Sequence, residues 1–402
     1  MLISTSKTVA LCSFSNLINA ADRALMPLAV LQMSSEFKWD MYSQGWLLSA
    51  FPIGYFSSQI IGASFAKRFG GKNVLTFAVL IWSLLTFFTP LFAYSYRILM
   101  VSRILLGIAE GVGLPAVVQI FSTCVLMDER SRAFGYLVAF GSFGQTAAAI
   151  ICPHLTWRWM FLLFGSIGFF WVSIWIFSFR EIKIITEDDD FIIIPPKLTN
   201  RTKWFDYFKS SQLWSIYLAH FSMSWTSNII TTWIPFYLSR YLGVSATALS
   251  FTAVPYIINS FSGILAGHLA DSLIMGNWTV LSVRRLMTTI GLVGPGIGLI
   301  IFMGIDNLVL AFCVISMCMA LLACNSCGHL ANHLDVAPNL SAITFGISNT
   351  IATIPGMLIG PLTAELVVKS GGRWLPVFLI AALVNFVGAI IYYSHSGASQ
   401  II

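Results

Sequence analysis

The chain has 402 residues, of which 57% are hydrophobic and only 9% are charged, and its formal net charge is +6. A soluble domain carries about 25% charged residues, because a surface that faces water needs them. This composition excludes a large soluble protein and does not favour nucleic acid as a partner; it indicates that lipid is the main solvent.

Twelve apolar segments are long enough to cross a membrane, which takes about 20 residues per helix. We expect no cleavable presequence, since only about seven residues precede the first segment. The predicted spans are 8–31, 44–66, 73–93, 97–127, 132–153, 157–179, 213–240, 246–270, 285–303, 307–333, 341–368 and 373–393.

A long polar stretch, 180–212, divides these spans into two sets of six. We therefore predict an N-terminal six-helix bundle at 1–179, a linker with an interfacial helix at 180–212, and a C-terminal six-helix bundle at 213–402. The segments "GASFAK" after span two and "AGHLAD" after span eight lie at corresponding places in the two sets. Such an internal repeat is typical of transporters built from two related halves.

Lysine and arginine in the loops and at the ends of the spans are unequally divided between the two sides of the predicted membrane. Fourteen fall on the side of the termini and the linker, and six fall on the other side. Because cytoplasmic loops carry the excess of positive charge, we expect both termini and 180–212 to be cytoplasmic. The six on the other side are Lys38, Arg97, Arg158, Arg240, Lys369 and Arg373.

Four charged residues lie deep in the first six spans: Asp22, Arg23, Arg103 and Glu110. Each costs about 3 kcal/mol at the centre of a membrane helix. Packing does not explain them, since leucine would pack as well. We therefore expect these four residues to carry the function.

Helical spacing indicates where these charges point. Arg103 and Glu110 are seven residues apart and share one face of span four, about 10.5 Å apart along the axis. That distance is too long for a direct ion pair. Asn16, Asn19 and Arg23 form a polar stripe on span one, which must face the bundle interior or water.

Two buried guanidinium groups would form an anion site, because each presents a planar fork of donors that matches carboxylate and phosphate. Burial favours the neutral form of a carboxyl group, so Asp22 and Glu110 could take up and release protons. We expect Glu110 to be the main proton carrier and Asp22, next to a guanidinium in sequence, the supporting one. The alternative is that buried ion pairs simply lock spans one and four together.

Several motifs resemble the solute carrier 17 family, the anion–cation symporter branch of the major facilitators. They are "INAADRALMPLAV", "GYFSSQIIGA", "FGGKNVL", "SRILLGIAEGVGLPA", "ERSRA", "WTSNIITTWIPFYL", "SVRRLMTTIGLVGPG", "NHLDVAP" and "FGISNT". The likeness covers nearly the whole chain, and the plastid and sodium-phosphate type of anion transporter and the bacterial sugar-acid–proton symporters resemble it most. It implies an all-α membrane protein with the twelve-helix major facilitator fold of two six-helix halves.

The resemblance also implies roles for single residues. Arg23 would hold the anionic group of the substrate, and Arg103 would be a second positive charge beside it. Asp22 and Glu110 would carry protons. The further residues that it implies for the substrate cavity are Tyr55, Gln59 and Asn349.

These observations predict a secondary active transporter of an organic or inorganic anion, a carboxylate or phosphate, that works by proton-coupled symport and alternating access. A potential-driven anion uniporter or channel is the alternative. No P-loop and no nucleophile–base pair occurs in the sequence, so ATP-driven transport and an enzyme are not expected. We expect no cofactor, a proton or sodium as the coupling ion, the bilayer and a small anion as partners, no nucleic acid, and a monomer. His220 is either a substrate contact or a hydrogen-bonded packing residue.

Overall fold

The structure is a computed structural model that describes residues 2–125, 130–179, 206–245, 247–337 and 341–400. Within these ranges every long element is an α-helix and no strand occurs, which confirms the predicted all-α class. The helices are α1 (Leu2–Phe37), α2 (Met41–Phe69), α3 (Gly71–Phe87), α4 (Thr89–Phe92), α5 (Tyr96–Cys124), α6 (Arg130–Ile151), α7 (Trp157–Ser178), α8 (Asp206–Lys209), α9 (Ser211–Asn228), α10 (Ile234–Arg240), α11 (Ala253–Met275), α12 (Val280–Phe302), α13 (Leu308–Leu322), α14 (His329–Val336), α15 (Ser341–Lys369) and α16 (Leu375–His395).

The described helices account for the twelve predicted spans. Eight segments are both long and apolar enough to cross a membrane, and they correspond to α5, α6, α7, α11, α12, α13–α14, α15 and α16. The other four spans are α1, α2, α3–α4 and α9–α10. These four spans are less uniformly apolar for two reasons. α1 and α2 carry polar side chains, and α3–α4 and α9–α10 are each interrupted by a break in the helix.

Three of the predicted spans are interrupted, which the apolar pattern did not show. Phe88 separates α3 from α4, a π-helical turn at Ile229–Trp233 separates α9 from α10, and a 3₁₀ turn at Ala323–Ser326 precedes α14. α4 and α10 each have a proline, Pro90 and Pro235, in the first turn. Proline has no backbone N–H, so it fits the start of a helix and disfavours an uninterrupted one.

Side-chain caps determine where several helices begin. Asp40 precedes α2, and its carboxylate accepts a 2.8 Å hydrogen bond from the backbone N–H of Ser43. This bond satisfies one of the donors that the first turn of a helix leaves free. Further caps of this kind are Ser210 before α9, Thr279 before α12 and Asn307 before α13.

The predicted linker 180–212 lies outside the described residues as far as position 205. From 206 onward the chain forms the short helix α8 and then enters α9. The predicted boundaries of the two six-helix bundles stay a prediction.

By their internal contacts the residues form two compact units. In the first, which comprises Met1–Ile184, Thr231–Val254 and Met357–Glu365, α2 packs along α5, α1 along α6, and α3 against both α5 and α7. In the second, which comprises Ile185–Ile230, Pro255–Gly356 and Leu366–Ile402, α12 packs against α13 and α16, and α9 packs against α16.

The backbones of α2 and α5 are in direct contact at two glycines. A Cβ atom on Gly107 would lie 2.1 Å from the carbonyl oxygen of Phe51, and one on Gly54 would lie 1.9 Å from that of Ile104. No side chain fits at either place. This close approach brings the aromatic residues of α2 alongside the charged face of α5.

Candidate functional site

The centre of the candidate site is an ion pair between α1 and α5. Arg23 Nε lies 3.0 Å from Glu110 Oε2. The Glu110 side chain is fully buried, whereas 34% of the Arg23 side chain is exposed. An ion pair thus joins spans one and four in this structure, and its Arg23 partner is accessible from outside the protein.

Two aromatic rings of α2 lie against the same guanidinium. The centre of the Tyr55 ring is 4.5 Å from Arg23 Cζ and that of the Phe51 ring is 5.4 Å away. The two rings stack on each other at 5.8 Å with an interplanar angle of 29°. A cation over an aromatic face is attracted by the ring quadrupole, so this platform holds the guanidinium in place.

Asp22 and Arg103 form a second polar group that is sealed from solvent. Asp22 is 2% exposed and Arg103 is 1% exposed. Thr86 Oγ1 donates to Asp22 Oδ2 at 3.4 Å, and Arg103 Nη2 donates to Thr89 Oγ1. Asp22 Oδ1 and Arg103 Nε have no hydrogen-bond partner among the described residues.

The structure shows which of the two carboxyl groups, Asp22 or Glu110, lies next to a guanidinium, and it is not the one that neighbours Arg23 in sequence. Glu110, which helical spacing places too far from Arg103 for a direct ion pair, is the residue paired with Arg23. Asp22 instead contacts Thr86, because successive residues of a helix point about 100° apart. Arg103 packs with its Cζ atom 5.2 Å from the ring centre of Phe161 on α7. It is buried here rather than open to a ligand.

The remaining predicted site residues are placed as follows. Asn19 is buried and lies beside Glu110. Tyr55 is 9% exposed, and Gln59, one turn further along α2, is half-buried. Asn349 is half-buried on α15 and belongs to the second unit, whereas the four charged residues belong to the first.

Sequence reasoning missed the two threonines that hold Asp22 and Arg103. Thr86 and Thr89 lie at the junction of α3 and α4 and are fully buried. Hydroxyl side chains in membrane helices commonly bond to the preceding turn, as Thr89 also does to the carbonyl of Leu85 at 2.8 Å. Nothing in the sequence distinguishes these two from other threonines.

In the second unit, His220 is a buried, hydrogen-bonded packing residue in this structure. Its Nδ1 atom lies 2.8 Å from Ser348 Oγ, and its ring centre is 5.7 Å from that of His329 and 6.0 Å from that of Phe345. His333 belongs to the same cluster, because its ring centre is 5.8 Å from that of Phe345. Its Nδ1 atom lies 3.1 Å from Thr344 Oγ1. The spacing of His329 and His333, four residues apart on α14, is the sequence signal that they share a face.

The chain matches the family model of the Major Facilitator Superfamily over residues 12–358. It is 35% identical to human sialin over 382 residues, which are 90% of this chain and 77% of sialin. It is 30% identical to the chloroplastic sodium-dependent phosphate transport protein 1 of Arabidopsis thaliana over 410 residues, which are 98% of this chain and 79% of that protein.

Solved structures show the same fold at low sequence identity. A bacterial homologue of the human lysosomal transporter Spinster superposes with a TM-score of 0.80 at 16% identity, covering 98% of this chain and 97% of that one. A D-xylose–proton symporter superposes with a TM-score of 0.79 at 13% identity, covering 98% and 99%.

The matched family and these relatives consist of transporters, so the chain is not an enzyme. The fold, the match over most of the chain and the likeness to sialin and the plastid anion transporters lead to one assignment. The chain belongs to the major facilitator superfamily, in its solute carrier 17 branch.

Proposed function

We propose that the protein is a secondary active transporter of a small organic or inorganic anion, a carboxylate or phosphate, that moves its substrate with a proton by alternating access. The observation that carries this proposal is the partly exposed Arg23, whose Nε atom is 3.0 Å from the buried Glu110. An anion that reaches Arg23 would compete with Glu110 for the same guanidinium.

Because the site is charged, competition between an anion and Glu110 for Arg23 would affect the protonation of Glu110. With both carboxyl groups ionised, Asp22, Arg23, Arg103 and Glu110 carry two negative and two positive charges, and the empty site would be neutral. A bound monoanion adds a negative charge in a medium of low dielectric constant, where an uncompensated charge is costly. Protonation of Glu110 as it leaves Arg23 would restore neutrality, and this exchange would couple the anion to the proton.

Arg23 is suited to the role of anion anchor. Its guanidinium keeps its charge at any working pH and offers five N–H donors, of which the ion pair with Glu110 uses one. Tyr55 and Phe51 hold it from one side, so little rotamer entropy is lost when an anion binds. Gln59 and Asn349 remain proposed cavity residues. Asp22 and Arg103, held by Thr86 and Thr89, form the buried polar group that supports the site.

The names of the relatives support an anionic substrate. They include chloroplastic proteins named as a sodium-dependent phosphate transport protein and as an ascorbate transporter, both from Arabidopsis thaliana. These names agree with a guanidinium anchor, which binds phosphate and carboxylate alike.

The proposal includes the topology predicted from lysine and arginine. Both termini and 180–212 are cytoplasmic, with bundles at 1–179 and 213–402, and the carrier acts as a monomer. A cysteine scan of exposed positions with a membrane-impermeant thiol reagent in sealed cells checks it. Labelling of Cys introduced at Lys209 only after the cells are opened is the expected result, and labelling at the intact cell surface would invert the topology.

Uptake into proteoliposomes tests the function directly. Labelled phosphate, ascorbate, glutamate and a sugar acid are offered while the pH difference and the membrane potential are set separately. We expect at least one anion to accumulate when only an inward proton gradient is present. Accumulation that depends on the membrane potential and not on the pH difference would indicate a uniporter instead. If the protein neither binds nor takes up any of these anions, the proposal is contradicted.

A further inference from the structure

A cavity separate from the candidate site lies in the first unit, at the ends of α7 and α10 where Arg158 and Arg240 are found. Its volume is about 410 Å³, and it is lined by parts of α1, α7 and α10 and by the turn at Thr247–Thr252. This size falls in the range of pockets that hold small organic ligands, about 300–1,000 Å³. The four charged residues of the candidate site are not among its lining residues. We call it the Arg240 cavity.

The rim of the Arg240 cavity is cationic and polar. Arg240 is exposed, and its Nη2 atom donates a 2.8 Å hydrogen bond to Ser35 Oγ. This bond uses one of the five donors of the guanidinium. Ser239 also lines the cavity beside it. Such a rim fits one carboxylate or phosphate group.

The floor of the cavity is apolar. Leu28, Leu31, Met160 and Leu249 all line it, and each of these side chains is buried. Gln32 is the polar residue of the wall, and its amide is already engaged by the carbonyl of Leu155 at 3.0 Å and by the N–H of Trp157 at 2.7 Å. The floor therefore favours an apolar chain or ring and offers little to a small hydrophilic anion.

The geometry points to a binding site for an amphipathic monoanion, with its anionic group on Arg240 and its apolar body on the leucine floor. A medium-chain carboxylate has this chemistry, and so does one anionic membrane lipid. A small transported anion lacks the apolar body that the floor would cover.

The position of the cavity gives its ligand an expected effect. Arg240 binds Ser35 of α1, and Ser250 donates to the carbonyl of Ile150 at 3.2 Å and lies 3.1 Å from His154 Nε2. These bonds join segments from the first six spans to segments of spans seven and eight. In a carrier that works by alternating access, as proposed above, such contacts must open and close. A ligand that fills the cavity would hold them closed and inhibit transport without competing with the substrate.

Equilibrium binding of radiolabelled decanoate, below its micelle concentration, tests the site on the full chain in phosphatidylcholine nanodiscs, with empty nanodiscs subtracted. We expect saturable binding to the wild type. Arg240→Gln should weaken it about tenfold or more, because a charge-assisted hydrogen bond is lost. Leu249→Trp should abolish it by filling the cavity. Decanol, which has no charge, should compete poorly.

Two controls separate this site from the transport site and from membrane charge. Arg158→Gln removes an exposed arginine of the same end and should bind decanoate like the wild type. Arg23→Gln should also bind it like the wild type, whatever becomes of its transport activity. Nanodiscs that contain phosphatidic acid show whether a lipid is the occupant, because decanoate binding then falls in the wild type.

Three results would overturn the proposal. One is an absence of saturable binding to the wild type. Another is wild-type affinity in both Arg240→Gln and Leu249→Trp, with unfolding midpoints that show both variants are folded. The third is loss of binding in Arg23→Gln, which would place decanoate at the transport site.

Discussion

Asp22 and Arg23 are consecutive residues of α1 that bind different partners on different helices. Asp22 accepts from Thr86 at 3.4 Å, and Arg23 pairs with Glu110 at 3.0 Å. One turn of α1 therefore connects the buried polar group of Asp22 to the ion pair of Arg23, which is partly exposed. A shift or rotation of α1 would change both sets of contacts together, which is what coupling of an anion to a proton requires.

The first prediction concerns the anion anchor. Arg23→Ala should abolish transport, and Arg23→Lys should lose most of it, because a point charge does not replace a bidentate fork. Uptake per reconstituted protein measures the effect, and Arg97→Lys, an exposed position at the start of α5, is the matched control. Normal uptake of the best anion by Arg23→Ala would show that α1 does not carry the site.

A second prediction concerns the hydroxyl that holds Arg103. Thr89→Val keeps the shape of the side chain but leaves a buried guanidinium with one acceptor fewer, at a cost of about 1–3 kcal/mol. The thermal unfolding midpoint of the purified protein should fall. Thr350→Val, whose hydroxyl donates to the carbonyl of Gly346 in its own helix, should change it little. Equal midpoints for the two variants would remove Thr89 from the network.

The contact between α2 and α5 leads to a third prediction. Gly107→Ala places a methyl group where the Phe51 carbonyl oxygen would be 2.1 Å away, so the two helices must separate. Overpacking of this kind costs about 1–3 kcal/mol. Because Tyr55 moves with α2, transport should also fall. Gly346→Ala is the control and should be stable and active, since its added Cβ would meet no atom of the described residues within 4 Å apart from the neighbouring backbone of its own helix.

The exposed ion pair between Arg158 and Glu36, which lies beyond the predicted end of span one, gives a pH-dependent prediction. Hydrogen bonds from Trp157 Nε1, at 2.7 Å, and from Arg158 lower the pKa of Glu36 below its usual 4.5. The bonds thus add stability above about pH 4.5, and this contribution is lost as the pH falls through the lower pKa of the folded state. Glu36→Gln should lower the unfolding midpoint slightly at pH 7 and hardly at all near pH 3. Asp306→Asn, at another exposed acid, is the control, and an equal loss at both pH values would contradict the assignment.

The sequence predicts the helical spans well, because in lipid a helix satisfies its own backbone groups and about 20 apolar residues mark each one. It also identifies the four charged residues, since a charge inside a membrane helix needs a reason. The breaks at Phe88 and Ile229–Trp233 were not predicted, because an apolar run reads the same whether or not its hydrogen bonding changes register.

Which charges pair could not be predicted either. Arg23 and Glu110 are 87 positions apart, and their contact depends on how α1 is rotated against α5. Sequence spacing determines which residues share a face of one helix. It therefore placed Arg103 and Glu110 on one face of α5, too far apart along the axis for a direct ion pair. Sequence spacing does not show which face of α1 packs against the charged face of α5. The pairing of Glu110 with Arg23 could therefore be found only from the structure.

We propose that an anion replaces Glu110 at Arg23, and the number of protons taken up when the anion binds tests this exchange. Purified carrier in a weakly buffered solution with a pH-sensitive dye is mixed with its best anion at several pH values between about 5 and 8. We expect the wild type to take up a proton as the anion binds. Glu110→Gln, which mimics the protonated carboxyl group, should bind the anion without taking up a proton. Binding by the wild type with no proton uptake at any of these pH values, or unchanged uptake by Glu110→Gln, would contradict it.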